Sequence, residues 1–376
     1  MSDGGPPNVT NADASTGTPA ASVRRHDIDW VRTGALGLLI VYHIVVSFQP
    51  FAPLIAFIQN EKTLDWLWIP MMAINVWRIP VLFLISGMGV RFAMRRRDWR
   101  ALLNDRSKRI LLPLVFGSLF VAPWTVWFAS LWYRWAETGI YFPTQGHLWF
   151  LGNIYAYVLV LLPVLYWMVR HPGNVVLRAT RWIVRRPLGI FVFAVPIIAE
   201  VLVVQPDHYP TYAGNLHGFV LGFALFALGA VFVEIETDFS PAVRRHRWIA
   251  LAVGFGLYLS RVLDLGLPPW VVGFESMTWM LAVLGFAARH LDRPSKGLSY
   301  LSAAVYPVYI VHLPVQSALA FWLFRTEIPA VAKLVLMIVG TFGVSLGLYE
   351  ALKRVRWLRP VFGMKALPRA APAGGS

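Results

Sequence analysis

The sequence places ionisable side chains inside stretches that are otherwise apolar. Arg32, Arg78 and Glu275 lie in such stretches, and so do the histidines His43 and His312. A charged side chain costs about 3 kcal/mol at the centre of a bilayer, so residues of this kind usually serve a purpose there. An imidazole can take up or release a proton near neutral pH, and a guanidinium can stabilise a developing negative charge. These residue types therefore suit a reaction in which a proton moves and an anion forms.

Helical periodicity aligns several of these residues. Arg32 and His43 are eleven residues apart, so on an α-helix their directions differ by about 20°, and Asp29 lies within about 40° of them. The predicted stripe starts near one end of the helix and carries His43 roughly 20 Å deep. The alternatives are a snorkelling anchor for Arg32 and a hydrogen-bonded packing residue for His43.

A second polar stripe is predicted on a later helix, because positions i, i+4, i+7 and i+10 share a face. Its members are Ser302, Tyr306, Tyr309 and His312. Further polar residues fall at about the depth of His43 and His312; they are Arg78, Asn153, Glu200 and Glu275. We predict that most of this set meets in one buried cavity, with an error in depth of about 5 Å.

The segment from Arg95 to Arg109 is strongly basic. Arg106 and Arg109 are three residues apart and would face the same way at the start of a helix. Paired guanidinium groups suit the phosphates of a nucleotide-type donor such as coenzyme A. The alternative is that these charges only fix the topology of the chain and contact anionic lipids, and composition alone favours this alternative.

Another apolar stretch opens with Gly146-His147-Leu148-Trp149. His147 is expected at the outer membrane interface, where a solvated histidine needs no functional role. His147, Trp149, Asn153 and Glu275 are nevertheless candidates for binding a second substrate. The sequence has no cysteine, no His-x-x-x-His pair and no carboxylate cluster at ligand spacing, so no metal site is expected.

Composition identifies the elements that must position these residues. Of the 376 residues, 57% are hydrophobic and 14% are charged, and the mean hydropathy is +0.58. A soluble domain carries roughly 25% charged residues, so the composition excludes a disordered chain, a nucleic-acid-binding basic domain and an ordinary cytosolic enzyme. The repeated apolar stretches predict an all-α bundle of membrane-spanning helices in contact with lipids.

We predict ten spans, at about 30–50, 72–93, 110–133, 147–169, 188–205, 214–233, 247–263, 269–288, 298–322 and 330–352. They form a transmembrane domain of residues 24–359, between a disordered tail at 1–23 and a second tail at 360–376. With the N-terminus inside, 28 of the 34 lysines and arginines fall on the inner side. This bias supports ten helices with both termini cytoplasmic.

Taken together, five of these motifs resemble the acyltransferase family three membrane proteins. The motifs are Asp27–Arg32 followed by His43, Phe83–Gly87, Arg106-x-x-Arg109 leading into Pro113, His147–Leu151 and Tyr306–Pro314. Within that family the sequence is most similar to the glucan biosynthesis protein C group, through Tyr42-His43, Trp77–Pro80 and Gly146–Leu151. The resemblance extends, in order, over nearly all ten predicted helices.

The resemblance implies a multi-pass enzyme of the bacterial inner membrane. It would move an acetyl or succinyl group from cytoplasmic acyl-coenzyme A, a co-substrate rather than a bound cofactor, to a hydroxyl of a glycan or another acceptor. His43 would match the essential first-helix histidine of the family, and Arg32, Arg106 and Arg109 its donor-handling arginines.

Acyl transfer needs a base or acyl carrier and a stabilised oxyanion. His43 suits the first role, Arg78 or Tyr306 suits the second, and His312 is the remaining catalytic candidate. The alternative function is a proton-coupled transporter or exporter, in which buried histidines and glutamates relay protons. The sequence leaves the oligomeric state open.

Overall fold

The computed structural model describes residues 25–365, and its regular elements are all helices. The predicted tail at 1–23 and residues 366–376 of the predicted C-terminal tail lie outside the described residues. The α-helices are α1 (His26–Val46), α2 (Trp68–Asn75), α3 (Arg78–Met94), α4 (Trp99–Arg106), α5 (Leu112–Phe120), α6 (Pro123–Trp132), α7 (Trp149–Arg170), α8 (Val175–Arg185), α9 (Val195–Val204), α10 (Leu216–Glu234), α11 (Glu236–Val262), α12 (Val271–His290), α13 (Lys296–Leu323), α14 (Ala330–Leu352) and α15 (Leu358–Val361).

Eight helical stretches of the described chain are long and apolar enough to cross a membrane. They are His26–Val46, Asp65–Met94, Trp99–Trp132, Gly146–Arg170, Leu216–Glu234, Val271–His290, Lys296–Leu323 and Ala330–Leu352. Because no water is present in the bilayer core, a helix must satisfy its own backbone there, which explains the all-helical fold that the sequence predicts. The other two predicted spans correspond to the shorter apolar stretch Gly189–Val204 and to the second half of α11, so the count of ten stays a prediction.

The first helix lies at the centre of the bundle. It packs against α3, α12, α13 and α14. Most faces of α1 therefore meet one of several partner helices. This position brings His43 and Arg32 close to the polar stripe of α13. The predicted depths of the residues do not determine which helices are neighbours.

Glycine lets α3 and α10 pack backbone against backbone. At Gly87 a Cβ atom would lie 1.9 Å from the carbonyl oxygen of Phe226, and at Gly229 it would lie 1.9 Å from that of Leu84. Small residues permit such close approach between membrane helices. The contact fixes the position of α3, and with it the position of Arg78 at its first turn.

We call the end of the bundle where α1 and α13 begin, and where α3 and α14 end, the basic end. Salt bridges join its helices there: Arg25 pairs with Asp27 and Glu236, and Arg91 pairs with Glu234. These pairs connect the start of α1 and the end of α3 to the junction of α10 and α11. The carboxylates of Asp27, Glu234 and Glu236 are thus already paired with cations.

Candidate active site

A cavity of about 720 Å³ extends into the bundle from the basic end. Among residues 25–365, its wall includes six cationic side chains and no carboxylate. The cations are Arg32, Arg106, Arg109, Lys353, Arg359 and Lys365. All three arginines that the sequence assigns to a donor site therefore line one cavity. A cleft lined by one sign of charge attracts and concentrates ligands of the opposite sign, in this case anions.

Arg109 reaches the cavity from a π-helical turn, Ser107–Leu111, between α4 and α5. Pro113 has no N–H, so the carbonyl of Arg109 lacks the partner four residues later that a regular helix would supply. The hydroxyl of Tyr306 on α13 donates to this carbonyl at 2.8 Å. Its proton is therefore engaged and is not directed at a second acceptor such as an oxyanion. Tyr306 instead anchors the π turn, a feature that recurs at functional sites.

Arg106 retains unused donors beside the cavity. Its Nη2 donates to the carbonyl of Gly89 at 3.2 Å, and its Nε is buried without a hydrogen-bond partner among residues 25–365. A buried donor left without a partner costs about 1–3 kcal/mol. An anionic ligand in the cavity would remove that cost.

Carboxylates behind the cavity wall orient the other two arginines. Arg32 donates to Asp29 at 2.9 Å and to the hydroxyl of Ser302 at 2.6 Å. Arg109 pairs with Asp105 at 3.0 Å, one turn before it on the helix. Both arginine side chains stay about 40% exposed, so their guanidinium groups are held in place and still reach the cavity.

The cavity ends towards the middle of the bundle at Tyr309. The Tyr309 hydroxyl donates to the carbonyl of His147 at 2.5 Å. His147 in turn places its Nε2 3.0 Å from the carbonyl of Ile310. Pro314 leaves that carbonyl without its helical partner, so the imidazole of His147 donates in its place. His147 is therefore 93% buried and bound to α13. The prediction that it is solvated at the membrane interface is wrong.

His312 and His43 form a pair whose hydrogen bonds assign the protons of the neutral rings. His312 Nδ1 lies 2.7 Å from the carbonyl oxygen of Tyr309, which only accepts, so Nδ1 carries the hydrogen. His312 Nε2 then offers a lone pair to His43 Nδ1, 3.0 Å away, which must donate. His43 Nε2 is left as an unprotonated nitrogen. The chain of bonds from Tyr309 thus leaves one ring nitrogen of His43 able to accept a proton, in the way that the third group of a catalytic triad fixes the tautomer of its histidine.

Arg78 lies beside this pair at the first turn of α3 and is only 1% exposed. Its guanidinium carbon lies 3.9 Å from the ring centroid of Tyr42, next to His43 in the chain. Its Nη1 donates to Asn75 at 3.0 Å, and its Nε has no hydrogen-bond partner among residues 25–365. No carboxylate of the described chain forms a salt bridge with it. A buried cation of this kind can bind an anion or a developing negative charge.

The other predicted residues at this depth form separate contacts. Glu275 makes a bidentate pair with Arg261 at 2.9 and 3.0 Å, and Glu200 pairs with His217 at 2.8 Å. Of the six residues predicted to meet in one cavity, three lie together, namely His43, His312 and Arg78. The two glutamates and Asn153 contact residues outside the set. Equal depth does not fix which way a residue points around its helix.

The predicted acceptor residues are not part of the wall of the basic cavity. Asn153 interacts with Tyr157 on its own helix, and Trp149 packs near Phe83, with ring centroids 6.2 Å apart. His147, Trp149, Asn153 and Glu275 are all missing from the cavity wall. Their proposed role in binding the acceptor stays a prediction.

Sequence reasoning missed some residues of the site. Tyr309 is in the predicted stripe, but its link between the cavity and both His147 and His312 follows only from the pairing of helices. Arg359, the last residue of the predicted domain, and Lys365, in the predicted tail that begins at 360, both line the cavity and were not among the predicted site residues. Their positive charge was the only hint in the sequence. Lysines and arginines also collect at the cytoplasmic end of membrane proteins, so the charge alone does not indicate a binding site.

The family model described as an acyltransferase domain, Acyl_transf_3, matches residues 25–350. No curated protein and no solved structure matches the chain. The match covers α1 to α14 almost completely and contains His43, His312, Arg78 and the cavity arginines Arg32, Arg106 and Arg109. The chain belongs to the Acyl_transf_3 family and is a multi-pass membrane acyltransferase that transfers groups other than aminoacyl groups.

Proposed function

We propose that this acyltransferase uses acyl-coenzyme A as donor and a hydroxyl of a glycan or another acceptor at the membrane. The observation that carries the proposal is the polarity of the basic cavity. Six cations surround one end, and Tyr309, which contacts both His147 and His312, closes the other. Coenzyme A has the matching polarity, because its phosphates are at one end and its thiol is on an uncharged arm at the other.

The thioester must travel beyond the cavity to reach His43. Leu36 lines the cavity and His43 does not; the two are seven residues apart on α1, which is about 10 Å along the helix axis. Tyr309 lies at this end of the cavity and is tied to His147 by one hydrogen bond from its hydroxyl. We propose that rotation of the Tyr309 side chain opens the last part of the path.

The proposed reaction uses the lone pair on His43 Nε2. This nitrogen takes the proton of the acceptor hydroxyl while the hydroxyl oxygen attacks the thioester carbonyl. Arg78 stabilises the negative charge that forms on the carbonyl oxygen. The carbon–sulfur bond then breaks, the thiolate takes the proton from His43, and the products are an ester and free coenzyme A. If the same nitrogen accepts the acyl group first, the route runs through an acyl-histidine.

We place the basic end in the cytoplasm, with ten spans and both termini cytoplasmic, in the inner membrane of a bacterium. The strong bias of lysine and arginine towards this end supports that orientation. The similarity of the first, second and fourth predicted spans to the glucan biosynthesis protein C group supports a glucan acceptor and an acetyl or succinyl group. Arg78 lies near the proposed reacting centre, and its cation would suit the carboxylate of a succinyl group as well as the oxyanion.

The test is transfer by the purified protein in lipid nanodiscs. Radiolabelled acetyl- or succinyl-coenzyme A is supplied with a glucan acceptor, and labelled glycan is counted. The His43→Ala variant should lose activity by about 10²- to 10⁴-fold, the usual contribution of a general base. His208, which is exposed, supplies the matched control, and His208→Ala should retain full activity.

Two outcomes would overturn the proposal. One is a wild-type protein that neither transfers the label nor binds coenzyme A. The other is a folded His43→Ala variant with full activity, which would remove the histidine from the mechanism. Label that stays on the protein when the acceptor is omitted would identify the acyl-histidine route.

A further inference from the structure

Half of the cations in the basic cavity come from the end of the chain. Lys353, Arg359 and Lys365 follow α14, while the matched acyltransferase domain stops at residue 350. The cavity wall therefore combines a part inside the family domain with a part beyond it. We call residues 353–365 the C-terminal clamp.

The clamp is packed firmly against the wall of the cavity. Phe362 is 94% buried, and its ring lies 5.5 Å from that of Phe116 on α5. Gly363 has a φ of +70°, and a Cβ atom there would lie 2.1 Å from the Tyr306 ring. Only glycine both adopts this backbone conformation without strain and fits against the tyrosine. The clamp therefore has a specific place beside the residue that anchors the π turn.

Arg359 ties the clamp into a closed loop. Its Nη1 donates to the carbonyl of Lys353 at 2.7 Å, and its Nε donates to the carbonyl of Lys365 at 2.8 Å. Both partners also line the cavity. A guanidinium has five N–H donors, so these two bonds leave donors for a ligand. The two ends of the clamp are thus held around one cation.

Of the three cations that the clamp adds to the cavity wall, one is paired with a carboxylate of the described chain. Lys353 pairs with Glu350 at 2.6 Å, but within residues 25–365 neither Arg359 nor Lys365 forms a salt bridge. Arg106, which lines the same cavity, has a buried Nε without a hydrogen-bond partner within residues 25–365. Cations gathered around an open volume without carboxylates are suited to a ligand with several negative charges.

We infer that the C-terminal clamp binds the phosphates at the nucleotide end of the acyl donor, with Arg359 and Lys365 as donor-binding residues. This inference rests on the proposed use of acyl-coenzyme A. It adds a second group of phosphate contacts beside the π turn that carries Arg109. The clamp then selects donors that carry a nucleotide over donors that carry only the thioester arm.

The experiment compares two donors with the same thioester. Acyl-coenzyme A carries the phosphates, and acyl-pantetheine lacks them. Arg359→Gln and Lys365→Gln should each raise the KM for acyl-coenzyme A by roughly tenfold, the usual loss for one bond to a charged group. The KM for acyl-pantetheine should change by less than about twofold. Arg289→Gln removes the same charge from an exposed position at the end of α12, outside both the clamp and the cavity wall, and should leave both values unchanged.

Binding of radiolabelled coenzyme A separates this inference from the proposed function. If the wild type binds coenzyme A and both clamp variants bind it equally well, the inference fails and the proposed function stands. An equal rise in KM for both donors would also overturn it, since the effect would then be one of packing. A wild type that does not bind coenzyme A would overturn both. Lys365 is exposed, so its variant keeps the test decisive if Arg359→Gln does not fold.

Discussion

Replacing His312 tests the proton assignment of the histidine pair most directly. In the proposed reaction His43 becomes positively charged when it takes the proton of the acceptor. Its Nδ1–H then donates a charge-assisted hydrogen bond to His312 Nε2, across the 3.0 Å that separates them. His312→Leu removes this acceptor, and it also removes the group that fixes which nitrogen of His43 carries the hydrogen.

The structure gives the expected size of the effect. A hydrogen bond to a charged group contributes about 1.5–3 kcal/mol, and about 1.4 kcal/mol corresponds to a factor of ten. The kcat of His312→Leu should therefore fall about 10- to 100-fold. The KM for the donor should stay within about twofold, because His312 is absent from the cavity wall.

His312→Gln is the informative companion variant. A glutamine amide can donate to the carbonyl of Tyr309 and accept from His43 Nδ1, so it can reproduce both bonds of the imidazole. It should recover most of the activity that His312→Leu loses. The assay is initial-rate transfer from radiolabelled acyl-coenzyme A in nanodiscs. A leucine variant that keeps more than half of the wild-type kcat, or a glutamine variant no better than leucine, would refute the assigned chain of protons.

Three further predictions concern the surroundings of this pair. Arg78→Met should lower kcat about 10²- to 10³-fold, as the loss of an oxyanion donor does, while coenzyme A binding stays normal; lost binding would instead place Arg78 in the donor site. Tyr306→Phe should lower stability by about 1–3 kcal/mol, because the carbonyl of Arg109 loses its donor; an unchanged melting temperature would contradict this. Gly229→Leu should prevent α3 and α10 from packing and yield aggregated protein on size-exclusion chromatography, whereas Gly343→Leu, with open space around it, should elute normally. Normal elution of Gly229→Leu would exclude the close contact.

The sequence predicts the residues that share a helix face better than those that share a site. The stripe with Tyr306 and Tyr309 follows from helical spacing, and Arg106 and Arg109 line the same cavity, while their role in binding phosphate stays a prediction. Depth along a helix, however, carries no information about rotation around its axis. For this reason Glu275, at the predicted level, points to Arg261 and not to His43.

Two other features depend on contacts between distant parts of the chain. His147 is buried because it binds the carbonyl of Ile310 on α13, which Pro314 leaves without a helical partner. The residues around His147 in the sequence do not indicate this contact. The cations of the C-terminal clamp look the same in the sequence whether they fix topology or bind a ligand. The packing of Gly363 against Tyr306 places the clamp at the cavity, which the sequence does not indicate.

Prolines in this bundle determine how its helices can move. Pro113 and Pro314 each leave a carbonyl that a side chain from a different helix satisfies, and the donors are Tyr306 and His147. Sliding α13 by one turn past α5 or α7 would break both bonds and leave buried acceptors unpaired. The helices are thus locked in register, and the enzyme must admit its substrates by turning side chains or tilting helices rather than by a piston-like shift.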